Sequence, residues 1–280
     1  MAPPRIFYLR RWRRTRKDSI MMNIFCIGDV IGSPGCEFLR SVLPSFKKVK
    51  GVDLCIANGE NSEFGRAKGL TRASAEHLFT SGVDVITTGN HVFSQNECYD
   101  YLDSSEFIVR PANIAFSGAP GKGFTIVDMG RVQVAVINLS GTVYMDYAAN
   151  PFEQIEQILP QVSGCKIKLL DFHAEATSEK RAMGFHLDGR VSAVFGTHTH
   201  VQTADEQILP GGTGYITDLG MTGPCDSILG VKKEIILQKF RTNMPVRFQT
   251  ADGACTLCGC LFTIDEKTGL CTYAERIQIQ

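Results

Sequence analysis

Short apolar runs that stop at polar residues alternate along this chain with stretches of helical spacing. Asn23-Ile-Phe-Cys-Ile-Gly28 ends in Gly-Asp-Val and is followed by a helix-like stretch from Pro34 to Phe46. The pattern then recurs. Val52–Ala57 stops at Asn58-Gly59-Glu60-Asn61, Thr71 caps a helical segment to Ser81, and Val83–Thr87 stops at Thr88-Gly89-Asn90-His91. Two further runs, Phe124–Met129 and Val132–Leu139, meet at Gly130-Arg131 and predict a hairpin. A helix over Pro151–Leu159, a strand over Lys166–His173, a further helix and a strand over Val191–Phe195 follow. The last strand ends in Gly196-Thr197-His198-Thr199-His200, and Pro245–Ile277 reads as β-rich. Alternation of strand and helix predicts an α/β fold, and the hairpin makes its sheets mixed. No repeat or linker divides residues 22–280, so a single domain is expected there.

Composition narrows the class. The 280 residues carry 29 basic and 29 acidic groups, with 44% hydrophobic residues, as in a folded protein with a sizeable core. Apolar runs fall short of the roughly 18 to 20 residues a bilayer-spanning helix needs, so no membrane partner is expected. Charge is uneven, however. Residues 1–21 hold seven basic side chains against Asp18, leaving 22 basic and 28 acidic groups in the remainder. The segment after those arginines lacks the apolar core of a secretory signal. With the tandem Met21-Met22 placed directly before a strand, residues 1–21 are expected to be an N-terminal extension outside the fold, with translation starting at that pair. A nucleic-acid or membrane-surface arm is the alternative. Ten cysteines without a secretory signal read as reduced thiols of a cytoplasmic protein. Cys255-Thr-Leu-Cys258-Gly-Cys260 lacks the second ligand pair of a structural zinc site and reads as alternating strand residues.

The chemistry lies at the strand ends. Asp29, Glu60-Asn61, Asn90-His91, His173, and His198 with His200 each follow a candidate strand, and they include four of the six histidines. Singly, each has a plain explanation as a turn residue or a satisfied polar group. As a set they are metal-ligand types, and in α/β sheets ligands bind where strand carboxyl ends converge. In extended chain, His198 and His200 would point to one side with Cα atoms roughly 6.6 Å apart. Such a pair can serve two metals, which lie roughly 3.5 to 4 Å apart in dinuclear sites, with Glu60 or Asp29 as a bridge. Oxygen and imidazole donors without a thiolate suit iron, manganese or zinc. His77 and His186 read as structural.

Together, Gly28-Asp29, Asn58-Gly59-Glu60-Asn61, Gly89-Asn90-His91, His173 and Gly196-Thr-His-Thr-His200 resemble the ordered motifs of calcineurin-like metallophosphoesterases. Asp171-Phe-His-Ala-Glu175 and Asp218-Leu-Gly-Met-Thr-Gly-Pro224 are similar to one branch, bacterial enzymes with 2',3'-cyclic-nucleotide 2'-phosphodiesterase activity, across almost all of residues 22–280. Asp29-Val-Ile departs from the superfamily's usual Asp-x-His, and Glu60 stands where a bridging Asp is usual; the branch shares both features. The resemblance implies a layered sandwich of mixed β-sheets flanked by helices and two metal ions, iron foremost. Metal one would take Asp29, Glu60, Asn61 and His200, and metal two Glu60 as bridge, Asn90, His173 and His198. His91 would be the proton donor.

That assignment has a physical consequence. Two divalent ions against Asp29 and Glu60 leave a net positive centre for an anionic phosphodiester. A water between the ions would have its pKa brought from 15.7 to about 7, generating hydroxide for in-line attack, while His91 protonates the leaving 2'-oxygen. Asp171 and Glu175 are placed to hold the second nitrogen of a ligand histidine, although surface or capping roles suit them equally. Alternatives from other classes are a phosphomonoesterase or nuclease of the same superfamily, and a regulatory partner in RNA metabolism that keeps the fold. His173-Ala-Glu175 also fits the first half of a zinc deaminase motif, but P-C-x-x-C is missing. A small cyclic phosphodiester as substrate and a homo-oligomeric state complete the expectation.

Overall fold

The computed structural model describes residues 7–8, 21–65, 67–114, 118–146 and 148–280. In chain order its strands are β1 Phe7–Tyr8, β2 Met21–Ile27, β3 Asp29–Val30, β4 Leu54–Asn58, β5 Val85–Thr87, β6 Ile108–Val109, β7 Phe124–Asp128, β8 Gln133–Ser140, β9 Ile167–His173, β10 Ala193–Thr197, β11 Gln207–Ile208, β12 Gly214–Ile216, β13 Met221–Pro224, β14 Cys255–Asp265 and β15 Cys271–Ile279. The helices are α1 Gly32–Lys50, α2 Arg72–Ser81, α3 Tyr99–Ser104, α4 Pro151–Ile158, α5 Thr177–His186 and α6 Lys233–Thr242. One sheet runs β1-β7-β8-β9-β10-β12-β11; the other runs β3-β13-β14-β2-β4-β5-β6, with β15 paired to β14.

Period-two alternation explains why the sheets stack. Met22, Ile24 and Cys26 on β2 face Val134, Val136, Ile167 and Leu169 of the opposing sheet, with Phe195 stacked on Phe262 at 6.4 Å. The alternate β2 residues Phe25 and Ile27 turn outward onto Leu39, Leu43 and Leu78 of α1 and α2. On the opposite surface Ala135, Ile137 and Leu139 pack against Ile155, Ile158 and Met183 of α4 and α5. Each fully buried side chain of this kind contributes about 1.5–3 kcal/mol. The result is helix, sheet, sheet, helix: mixed sheets flanked by helices, as the sequence pattern and the resemblance both predict.

Local chemistry sets the element ends. Thr71 and Ser74 form a reciprocal capping box that starts α2, and Gly82 at φ 110° closes it. The predicted β7–β8 hairpin forms with Thr125 opposite Val136. Three features differ from the expectation. Helix α1 extends four residues past Phe46 to the left-handed Gly51. The β-rich tail starts at Cys255, not Pro245. Helix α6 has no counterpart in the sequence pattern, because only Ile236 of it is buried and its apolar residues trace no core face. Residues 1–6 and 9–20 of the proposed extension lie outside the described residues. Phe7–Tyr8 runs parallel beside Val127–Asp128, and Met21 already belongs to β2. Among the described residues no helix is long and apolar enough to cross a membrane.

Parallel pairing carries the site. β2, β4 and β5 in one sheet and β8, β9 and β10 in the other are parallel neighbours. Their carboxyl ends open on one edge of the sandwich.

Candidate metal centre

Three polar groups from three other strand ends meet at His173. Its Nε2 lies 3.2 Å from Glu60 Oε1, 3.0 Å from Asn90 Oδ1 and 3.1 Å from His198 Nδ1. Glu60, His173 and His198 each offer a ligand atom within 4.8 Å of one another, the one such trio of His, Cys, Asp or Glu among the described residues. Beside it, Asp29 Oδ1 stands 3.7 Å from His200 Nε2, while Oδ2 accepts the His198 backbone N–H at 3.1 Å. Asn61 joins the two groups: its Nδ2 is 3.2 Å from both Glu60 Oε1 and His200 Nε2. An amide nitrogen is a donor and not a ligand. A half-turn of this amide keeps its shape and brings Oδ1 to the same point.

Asp29 Oδ1 tests whether cations fit. It is fully buried and accepts no hydrogen bond among the described residues. Burying a carboxylate oxygen without a hydrogen bond is unfavourable, and a cation at that oxygen would offset the cost. The remaining donors are neutral amides, imidazoles and one carboxylate, without a thiolate. That set fits hard or borderline divalent ions.

Supporting residues fix each ring. His173 Nδ1 lies 2.9 Å from Thr197 Oγ1, which in turn donates to Asp171 Oδ1 at 2.7 Å. Asp171 Oδ2 accepts from Thr87 Oγ1 at 2.5 Å and Asn58 Nδ2 at 3.2 Å, so one buried carboxylate ties β9 and β10 to β4 and β5 of the other sheet. With Nδ1–H donated to Thr197, His173 keeps its Nε2 lone pair for the centre. His198 Nε2 is held by Glu175 at 3.0 Å, and His200 Nδ1 by the Leu229 carbonyl at 3.1 Å. His91 Nδ1 lies 3.0 Å from Asn61 Oδ1, and its backbone N–H donates to Glu60 Oε2 at 2.9 Å.

Backbone geometry corrects one expectation. His198 and His200 lie beyond the end of β10 with φ of 96° and 64°, so they are not extended neighbours on one strand face. The left-handed backbone sends His198 to the His173 group and His200 to Asp29. Such strain in non-glycine residues clusters at functional sites. Gly89 is required for a different reason, since a Cβ there would collide with His173 and Glu60.

Electrostatics follow from this packing. Burial raises the Glu60 carboxyl, but His173 and His91 outweigh it and hold the group well below the usual range. Burial lowers His173, yet Glu60 and Asp29 lift it to about 9, while burial and the nearby His173 push His198 down to about 4. Burial raises Asp171 to about 6. A protonated His173 beside two carboxylates marks where positive charge is favoured, and a bound ion would take over that role.

A family model described as YmdB-like protein matches residues 25–277. The chain belongs to the YmdB-like family. It is 47% identical over 259 residues to the 2',3'-cyclic-nucleotide 2'-phosphodiesterase of Bacillus subtilis (strain 168), covering 92% of this chain and 97% of that protein. A solved hypothetical protein from Thermus thermophilus superposes with TM-score 0.85 at 39% identity, covering 92% of this chain and 99% of that one. A structure described as a novel phosphatase from Mycoplasma pneumoniae gives TM-score 0.87 at 33% identity, covering 92% and 93%. These agree with the resemblance to metallophosphoesterases that the motifs carry.

Within this YmdB-like fold all eight predicted site residues fall in one place. Sequence reasoning missed Asn58 and Thr197, which stand inside the motifs as apparent spacers, and Thr87, which reads as the last residue of a strand. It also missed Lys180, a buried lysine whose Nζ donates to Thr197 O at 2.8 Å and Asp218 Oδ2 at 2.6 Å. Asp218 also accepts the Thr199 N–H at 3.2 Å, so this pair props the histidine loop from below. Glu175, by sequence a candidate support for a ligand histidine, holds His198. His77 and His186 lie outside the centre, on Cys36 O and Glu156. All ten cysteines are free, and burial lifts the Cys26 and Cys260 thiols well above their ordinary value.

Proposed function

We propose that this protein is a metal-dependent phosphodiesterase that opens 2',3'-cyclic nucleotides to 3'-nucleotides in the cytoplasm. The observation that carries this reading is the buried Asp29 Oδ1, which accepts no hydrogen bond among the described residues, beside the Glu60, His173 and His198 trio. The activity named for the Bacillus subtilis relative supports the substrate class.

Asp29, Glu60, Asn61 and His200 would hold one ion, and Glu60, Asn90, His173 and His198 the other, with iron foremost and manganese or zinc as alternatives. When bound, the two ions would supply Lewis-acid charge and a water acidified to about pKa 7. The chain's own residues do the rest. Asn61 and Asn90 contribute oxygen without charge, so the carboxylates of Asp29 and Glu60 do not cancel the attraction for an anionic phosphodiester. Thr197, Glu175 and the Leu229 carbonyl engage the outer ring nitrogens of His173, His198 and His200, which leaves the inner nitrogens as the ones an ion would take in place of a proton.

His91 is the proton donor in this reading, and Nε2 is the atom that carries the proton. As placed, its Nδ1–H donates to Asn61 Oδ1. With the Asn61 amide turned to ligate, Glu60 Oε1, 3.4 Å away, remains to hold Nδ1–H, and it is the imidazolium form that carries a second proton on Nε2 for the leaving 2'-oxygen. General-acid removal costs roughly 10² to 10⁴ in rate. The His91→Ala protein should therefore keep its metal content by elemental analysis and lose that factor in kcat on 2',3'-cyclic AMP. Rapid hydrolysis of an aryl phosphomonoester with no action on 2',3'-cyclic AMP, under the same conditions, would refute the diester reading.

A further inference from the structure

A cavity of about 520 Å³ opens beside the His200 side of the centre, lined by Ser33, Phe64, Lys232, Arg247, Phe248 and Asp252 among others. Two of its walls are tied to the candidate ligands through the chain. Phe64 stands three residues after Asn61, whose carbonyl accepts the Gly32 N–H at 2.8 Å. Lys232 stands three residues after Leu229, whose carbonyl holds His200. The lining combines cations with half-exposed aromatic rings. Phe64 and Phe248 are 41% and 48% exposed, the Phe64 ring edge-on to His77 at 5.7 Å. The Lys239 ammonium lies 4.8 Å over the Phe248 ring. Arg247 has no ion-pair partner among the described residues, and Lys232 has only the solvent-exposed Asp252 at 3.8 Å.

Cations interleaved with aromatic rings beside a phosphodiester centre suit a second phosphate and a second base, which a lone cyclic nucleotide does not have. We propose that this cavity is a subsite for the nucleotide on the 5' side of a terminal 2',3'-cyclic phosphate. The substrate class is then the end of a short single-stranded RNA. Arg247 and Lys232 meet the bridging phosphate, and Phe64 or Phe248 stacks the penultimate base. Such ends arise when a ribose 2'-oxygen attacks its own 3'-phosphorus and expels the next 5'-oxygen, so a strand-cleaving transesterification must supply this enzyme. The hydrolytic step balances without a further reactant: water's oxygen bonds to phosphorus, the phosphorus–O2' bond breaks, and O2' takes a proton.

The inference rests on the phosphodiesterase reading, and two measurements separate their failures. The first compares kcat/KM for 2',3'-cyclic AMP and for the dinucleotide ApA ending in a 2',3'-cyclic phosphate. The dinucleotide should be favoured at least about tenfold, and Arg247→Ala or Phe248→Ala should bring that ratio toward one. A wild-type ratio near one, or a ratio untouched by both substitutions, overturns the subsite. The second titrates the stable 3'-phosphorylated dinucleotide ApAp against 3'-AMP. The dinucleotide should bind at least about tenfold more tightly, with a log K against log salt slope steeper by about 0.7 for the added phosphate, lost in Arg247→Ala. If neither cyclic compound is hydrolysed the phosphodiesterase reading falls, and equal binding of the two ligands then removes the subsite as well.

Discussion

The His173 and His200 sides of the centre are held in different ways. His173 is fully buried, and behind it Thr197, Asp171, Thr87 and Asn58 form a chain of side-chain hydrogen bonds that crosses between the two sheets. His200 is steadied by a backbone carbonyl, that of Leu229, itself in the left-handed region at φ 55° and 46% exposed. One side is therefore built into the core, where a change of side chain disturbs fold and site together. The other is built on a loop that borders the cationic cavity, where residues can vary with substrate while the ring stays in place.

Substitutions can break or sharpen that contrast. The largest structural effect belongs to the prop shared by both sides. Lys180→Met leaves Asp218 buried without its partner, each now 1% exposed, and should cost about 3–5 kcal/mol in a denaturant melt. A loss below about 1 kcal/mol would show that the pair does not carry the histidine loop. Next comes Asp171→Asn, which keeps the shape but swaps an acceptor for a donor facing Thr197 or Thr87. Metal affinity should fall roughly 10- to 100-fold by competition with a chelator. Glu175→Gln should do less, under about tenfold, because that carboxylate is 47% exposed and water can take its place at His198 Nε2. Equal effects of the two changes would erase the distinction between a buried and a solvated support. Among surface changes, Leu229→Gly should be smallest: glycine accepts φ 55° without strain, so stability should shift by no more than about 1 kcal/mol while the carbonyl stays on His200.

Much of the fold was legible because period-two apolar runs and helix signals coincide with β2, β4, β5, β7–β8, β9 and β10 and with α2 and α4. Their ends were legible for the same reason, and Asp29, Glu60, Asn90, His173 and His198 stand within three residues of those ends. What the pattern could not reveal has identifiable causes. The left-handed turns at His198 and His200 leave no mark in residue type, since neither position is a glycine. Thr197 and Asn58 act through side-chain hydrogen bonds, a role any short polar residue in a motif could have. Lys180 is the inverse case: lysine spacing in α5 suggests a solvated face, and only the three-dimensional placement of Asp218 beneath it makes burial tolerable. The groove beside α6 was hidden because the helix buries only Ile236.

Anomalous diffraction from crystals of the protein loaded with manganese tests the central claim most directly. Two peaks roughly 3.5 to 4 Å apart are predicted, one among Glu60, Asn90, His173 and His198 and the other at Asp29 Oδ1 with Asn61 and His200. A protein that takes up no manganese, iron or zinc at these side chains, or whose Asp29 Oδ1 remains free of any cation, contradicts it.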